Sequence, residues 1–318
     1  MKISCAAWLL LARQSPESGW SVVAPTGRAA YVAALMRRRT LPGGVPAMVL
    51  AAAVAILLVG GGLIVAGSDW RLSYDSANDL PLPLPPIPPR IAEGEDYDKC
   101  LSMLNTDPEG ASAFADAWEA TGGGEGATHC RALAELALGE AETGAALMDK
   151  LAGSSKSAAA ARASVYGQAG QAWLIAGSAD KAYRSATMAL SLTPDDEDLL
   201  IDRAIAAAAL ERYRSAVEDL THALELDAKR TDALVLRAAA TRGLNQLDRA
   251  RDDIERALVQ DPDNPEALLE RGILRQRRGD RPGARRDWER ASALAPDTAT
   301  ADLAQQNLAL LEAGPDRR

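Results

Sequence analysis

The chain has 318 residues, 47% hydrophobic and 25% charged, with aromatics at only 4% and a single phenylalanine, Phe114. Its net charge of −9 is uneven: residues 1–68 carry +5, from Lys2, Arg13, Arg28 and Arg37 to Arg39 against Glu17, which leaves −14 on the remainder. So acidic a remainder repels phosphate backbones and anionic headgroups, which excludes nucleic acid as an expected partner. The scarcity of aromatics leaves alanine to fill much of the core, which favours closely packed helices.

Residues 1–35 precede a more fitting start at Met36. They read as an over-long gene start or a short cytoplasmic tail. Across 36–68, Arg37, Arg38 and Arg39 are followed by an uncharged run from Met48 to Val59 and by small residues at Ala66 to Ser68. That order and size match a secretory signal. Counted from Met48 to Gly67, the same stretch holds 20 uncharged residues, which at ~1.5 Å each could cross a ~30 Å hydrocarbon layer. Both readings keep the basic side in the cytoplasm and the acidic side outside. The expected location is therefore periplasmic, either soluble after signal cleavage or anchored in the inner membrane through residues 48–67.

Residues 69–92 form a proline-rich linker, with six prolines from Pro81 to Pro89. Proline forbids helix there and favours an extended spacer. Residues 93–162 then read as four helices, "EDYDKCLSML", "EGASAFADAWEA", "THCRALAELALGE" and "AALMDKLAG", broken at Pro108 and at Gly122 to Gly124. They are expected to form two degenerate copies of the unit that repeats across the rest of the chain.

Residues 163–298 repeat with a period of 34, aligning 163–196, 197–230, 231–264 and 265–298 without gaps. Ala182, Ala216, Ala250 and Ala284 share one column, and Ala189, Ala223, Ala257 and Ala291 another. Gly170, Ala204, Ala238 and Gly272 form a third. Pro194, Pro262 and Pro296 end three units, with Ala228 in the other. Each unit predicts two helices joined by a turn near Gly177, Arg212, Leu244 or Gly279. Small residues must recur where antiparallel helices cross closely, and no single unit could bury its apolar face, so the stack is the folding unit. Arg203, Arg237 and Arg271 lie 16 residues before Asp219, Asp253 and Asp287, while the first unit has Ala169 and Ser185. Paired presence and paired absence predict an ion pair within each hairpin.

These columns resemble the tetratricopeptide repeat family: one instance reads Leu268, Gly272, Ala284, Trp288, Ala291, Pro296. The resemblance implies an all-α fold, a solenoid of helical hairpins wound as a right-handed superhelix, with residues 299–318 as a capping helix and tail. With its signal, proline spacer, "YDKC" and "THC", the chain also resembles uncharacterised exported tetratricopeptide proteins of Gram-negative bacteria. In such stacks the first helices line a concave groove. Projecting the groove positions gives Ile201, Ile205, Val235, Ala239, Arg242, Leu269, Ile273 and Arg277, an aliphatic floor with arginine towards the carboxyl-terminal end. Apolar residues at repeated solvent-facing positions would receive a peptide or helix of another protein.

Cys5 lies outside any mature exported chain, which leaves Cys100 and Cys130, an even number for an oxidising compartment. A disulfide between them is expected. His129 beside Cys130 does not predict a metal or nucleophile site: neighbouring helical residues point about 100° apart, and the only other histidine is His222. "GGGEG" at 122–126 lacks the Gly-Lys-Ser/Thr ending of a phosphate loop. No cofactor and no enzymatic activity are expected. The sequence reads as a protein-binding adaptor of the cell envelope or, alternatively, as a spacer or oligomerisation subunit of an envelope assembly or secretion complex.

Overall fold

The computed structural model describes residues 89–313, which belong to one compact unit. The signal or anchor at 36–68 and the proline-rich stretch up to residue 88 lie outside the described residues. Thirteen α-helices and no strand occur among the described residues: α1 (Glu95–Met103), α2 (Pro108–Ala120), α3 (Gly124–Ala137), α4 (Ala141–Ser154), α5 (Ala159–Ile175), α6 (Ala179–Leu192), α7 (Glu197–Ala209), α8 (Tyr213–Leu226), α9 (Thr231–Gly243), α10 (Leu247–Gln260), α11 (Pro265–Arg277), α12 (Arg281–Leu294) and α13 (Ala299–Ala313). None is long and apolar enough to cross a membrane. Each helix packs against its sequence neighbours and, more lightly, several pack against the next but one, so hairpins stack in chain order.

The turn inside each hairpin recurs atom for atom. Gly177, Glu211, Asn245 and Gly279, spaced 34 apart, all take positive φ, between 59° and 84°. The amide that follows each of them bonds back over the turn: Ser178 N to Trp173 O, Arg212 N to Ala207 O, Gln246 N to Thr241 O and Asp280 N to Arg275 O, at 2.8 to 2.9 Å. These bonds satisfy carbonyls that the first helix would otherwise leave open. Gly139, at φ 88°, closes α3 the same way through Glu140 N and Glu135 O. The second helices start from side-chain or backbone caps, and three of them stop two positions before Pro194, Pro262 and Pro296. Pro108 begins α2 rather than merely separating two helices, with Asp107 capping the amide of Gly110 at 2.9 Å.

All the small-residue columns are buried. In the last unit a large residue complements the small one. Trp288 fills the notch left by Gly272, and its indole N–H donates to Leu269 O at 3.1 Å. A Cβ on Gly272 would stand 2.3 Å from Trp288 Nε1, whereas a Cβ on Gly170 would meet nothing closer than Ala182 O at 3.5 Å. The hairpin α3/α4 repeats the theme with Gly144 lodged against Ala132 O, and α5 starts one turn earlier than residue 163. At the other end α13 occupies a first-helix position: Thr300, 34 residues after Glu266, donates to its carboxylate at 3.2 Å. Arg281 fastens α13 by donating to Leu311 O, and Arg285 by bonding Glu312.

The three predicted ion pairs form, each with two parallel hydrogen bonds: Arg203 to Asp219, Arg237 to Asp253 and Arg271 to Asp287, at 2.6 to 2.9 Å. In the first regular unit, Asp149 of α4 takes over this function. Its carboxylate accepts from Trp173 Nε1 and Ser185 Oγ, both at 2.7 Å.

Two glycines in one column should therefore respond oppositely to alanine. Gly272→Ala is expected to lose roughly 1–3 kcal/mol through overpacking against Trp288, and Gly170→Ala to gain about 0.5–1 kcal/mol by relieving a mid-helix glycine. Chemical denaturation of both variants measures this, and equal responses would refute the notch.

Candidate functional site

The first helices α5, α7, α9, α11 and α13 stand in sequence order along one wall, with contacts between α5 and α7, α7 and α9, α9 and α11, and α11 and α13. The sequence-derived groove residues sit on it as three groups: Ile201 and Ile205 on α7; Val235, Ala239 and Arg242 on α9; Leu269, Ile273 and Arg277 on α11. Their expected exposure does not hold for most of them. Ile201, Ile205, Val235, Ala239 and Leu269 are all buried, Ile205 to 1% and Leu269 to 0% exposure. Ile201, Ile205 and Val235 belong to one core cluster with Ala206, Ala207, Ala208, Ala238 and Ala240.

Polar rungs reinforce that closure. Gln168, Asp202, Leu236 and Glu270 share one column, 34 residues apart, on the side of each first helix that meets the preceding one. His129 Nε2 lies 2.7 Å from Gln168 Oε1. Gln171 Nε2 donates to Asp202 Oδ2 at 2.9 Å. Arg242 Nε donates to Glu270 Oε1 at 2.5 Å, and Glu270 is wholly buried. Arg242 is thus held against α11. Sequence reasoning missed this column, although polar residues at three of its four positions are its visible signal. Arg230 closes the edge of the wall, gripping Asp198 at 2.8 Å and Asp232 at 2.7 Å.

What stays accessible lies towards the two ends. Gln171 and Ile175 are half-buried on α5. On α11, Ile273 is half-buried, and Gln276 and Arg277 are exposed. Leu310 on α13, 34 residues after Gln276, is 47% exposed. The wall therefore presents an aliphatic and cationic strip at its carboxyl-terminal end. Arg277 makes no ion pair among the described residues.

The cysteines lie elsewhere, at the amino-terminal end. Cys100 of α1 and Cys130 of α3 are joined as a disulfide, with Cα atoms 6.1 Å apart. His129 sits between Tyr97 and Gln168 rather than pointing to a ligand. Among the described residues no group of three or more His, Cys, Asp or Glu side chains could hold a metal ion.

Asp202 is the one strongly displaced carboxyl on the wall. Burial pushes it up to about 7, helped by Asp198 and Asp196 and opposed by the Gln171 hydrogen bond and Arg230. Its folded value thus exceeds the ordinary ~3.9 of an unfolded aspartate. The stability it contributes is present in full below about pH 4 and is lost as pH rises through about 7. Asp202→Asn should flatten that decline, raising the thermal midpoint at pH 8 while changing it little at pH 4. Ile205→Asp should cost about 3 kcal/mol or more by burying a charge without a partner. A stable Ile205→Asp protein in urea titration would show the wall to be open after all.

No protein-family model and no curated protein sequence matches the chain. Solved structures do. Cut9, in the APC/C hetero-tetramer Cut9–Hcn1, is 15% identical with a TM-score of 0.50, covering 67% of this chain and 42% of that one. TTC0263, a thermophilic TPR protein of Thermus thermophilus, is 18% identical with a TM-score of 0.48, covering 59% and 99%. YrrB, described as a TPR protein with an unusual peptide-binding site, is 21% identical with a TM-score of 0.42, covering 67% and 98%. The likeness to Cut9 is one of fold: the described residues form a tetratricopeptide-type helical solenoid.

Proposed function

We propose that this protein is a non-catalytic adaptor of the bacterial cell envelope that holds a protein or peptide partner against its first-helix wall. The observation that carries the reading is the strip of Ile273, Gln276, Arg277 and Leu310. Apolar and cationic side chains there stand accessible on a wall whose middle is closed. Such a strip suits an extended segment or a short helix that offers an aliphatic anchor and a carboxylate. The buried residues of the sequence-derived groove, Ile201, Ile205, Val235, Ala239 and Leu269, would then set the wall's rigidity, while Ile273 and Arg277 meet the guest. The envelope setting is supported by the basic start and uncharged run at 36–68 and by a disulfide of the kind that persists outside the cytoplasm.

The closed middle of the wall favours a second reading, a spacer or oligomerisation subunit whose stiffness is its use. Affinity capture from the native envelope separates the two. Ile273→Asp combined with Arg277→Glu should reduce capture of a partner at least tenfold, equivalent to about 1.4 kcal/mol, with an unchanged melting curve. Undiminished capture would reject the strip, and loss of self-association by light scattering in the same variant would favour the spacer. Protease treatment of intact spheroplasts tests export independently, since full protection of residues 89–313 would contradict it.

A further inference from the structure

Apart from the wall, the most distinctive chemistry lies where α1 meets α3. α1 has nine residues and starts at Gly94 without a side-chain cap, well below the ~12–15 residues at which isolated helices persist in water. It is kept helical by what it docks on. Tyr97, Cys100 and Leu104, spaced along one face, are buried to 1% exposure or less. The Tyr97 hydroxyl is 2.5 Å from His129 Nδ1, and the opposite ring nitrogen of His129 reaches Gln168 of α5. With Nε2 carrying the proton, His129 accepts from Tyr97 and donates to Gln168, so one relay of side chains spans α1, α3 and α5. The Tyr97 ring also stands 6.5 Å from that of Trp118 in α2. Only the bond from Cys100 to Cys130 ties α1 to this seat covalently.

We propose that the Cys100–Cys130 disulfide is a redox latch holding α1 over α3, and that its reduction by a dithiol releases α1 and bares the aromatic and apolar seat beneath. A thiolate of the dithiol attacks one Sγ, breaking the Sγ–Sγ bond and forming a mixed disulfide. Its second thiolate then expels the remaining cysteine sulfur. Two electrons and two protons pass to the protein, Cys100 and Cys130 end as thiols, and the reductant ends as a disulfide. Both cysteines are fully buried, so the reagent meets them only in molecules whose α1 has begun to lift. Reduction then removes the tie that would bring α1 back.

His129 reports the state of the latch. In the closed form burial pushes it down to about 4, against the Gln168 hydrogen bond. The groups facing it are the Tyr97 hydroxyl and Gln168, and the charges around Tyr97 are Arg90, Glu93 and Asp98. Water reaching the ring should return it towards the ordinary imidazole value of ~6.5.

The test uses the full chain, which contains two histidines, so histidine NMR titrations are readable directly. After excess dithiol and a thiol count showing two new thiols, His129 should titrate at least one pH unit higher while His222 does not move. Amide exchange over residues 97–104 should accelerate at least tenfold, with α5 to α12 unchanged. Cys100→Ser combined with Cys130→Ser should reproduce the reduced state, and if that variant fails to fold, reduction of the folded wild type supplies the same readouts. Three results would overturn the latch: no new thiols under native conditions, His129 still near 4 after reduction, or collapse of the whole array's helical signal.

Discussion

Close approach between helix backbones is the constraint on which the architecture depends. With so few aromatics, the chain cannot fill space between distant helices, so it brings them together and fills the interval with alanine. Ala182, Ala216, Ala250 and Ala284 on the second helices and Gly170, Ala204, Ala238 and Gly272 on the first are all buried, and Gly170 lies against Ala182. The tolerance there is about one methyl group. Gly272 and Trp288 show the arrangement at its extreme, with the largest side chain seated on the smallest.

Close crossing alone would leave the two helices free to slide, and the charged columns oppose that. A bidentate arginine–carboxylate pair has a narrow geometry, and the carboxylates of Asp219, Asp253 and Asp287 are nearly buried, at 10%, 9% and 4% side-chain exposure. Each pair spans its own hairpin at one register. The first regular unit lacks the pair and borrows Asp149 from the preceding hairpin, which binds α4 to both α5 and α6. The irregular and regular parts are thereby linked by hydrogen bonds as well as by packing.

The same closeness that stabilises the stack determines what it can offer a partner. On α7 and α9 the aliphatic residues of the wall join the core. On α11 and α13, nearer the end of the array, Ile273, Arg277 and Leu310 keep access to solvent. Stability and availability compete for the same side chains, and the middle units favour stability. At the opposite end α1 is held by a covalent bond and a buried hydrogen-bonded relay, because its nine residues bury too little to hold it alone.

Much of this was legible along the chain. The period of 34, the hairpin turns, the alanine columns and the spacing of Arg203, Arg237 and Arg271 to their aspartates follow from residue size and charge at fixed intervals within one hairpin. Those are local quantities, and the sequence by itself determined them. Exposure on the wall is a different kind of quantity. Ile205 and Ile273 occupy the same repeat position, yet one is sealed and the other half open. The difference lies in which side chains of the neighbouring units cover each position, and those residues stand one repeat away. The rungs from His129 to Gln168, from Gln171 to Asp202 and from Arg242 to Glu270 have the same origin. Only the tertiary structure decided them, because a contact between units depends on the distance between two helices, while a repeat pattern specifies only the faces they turn to each other.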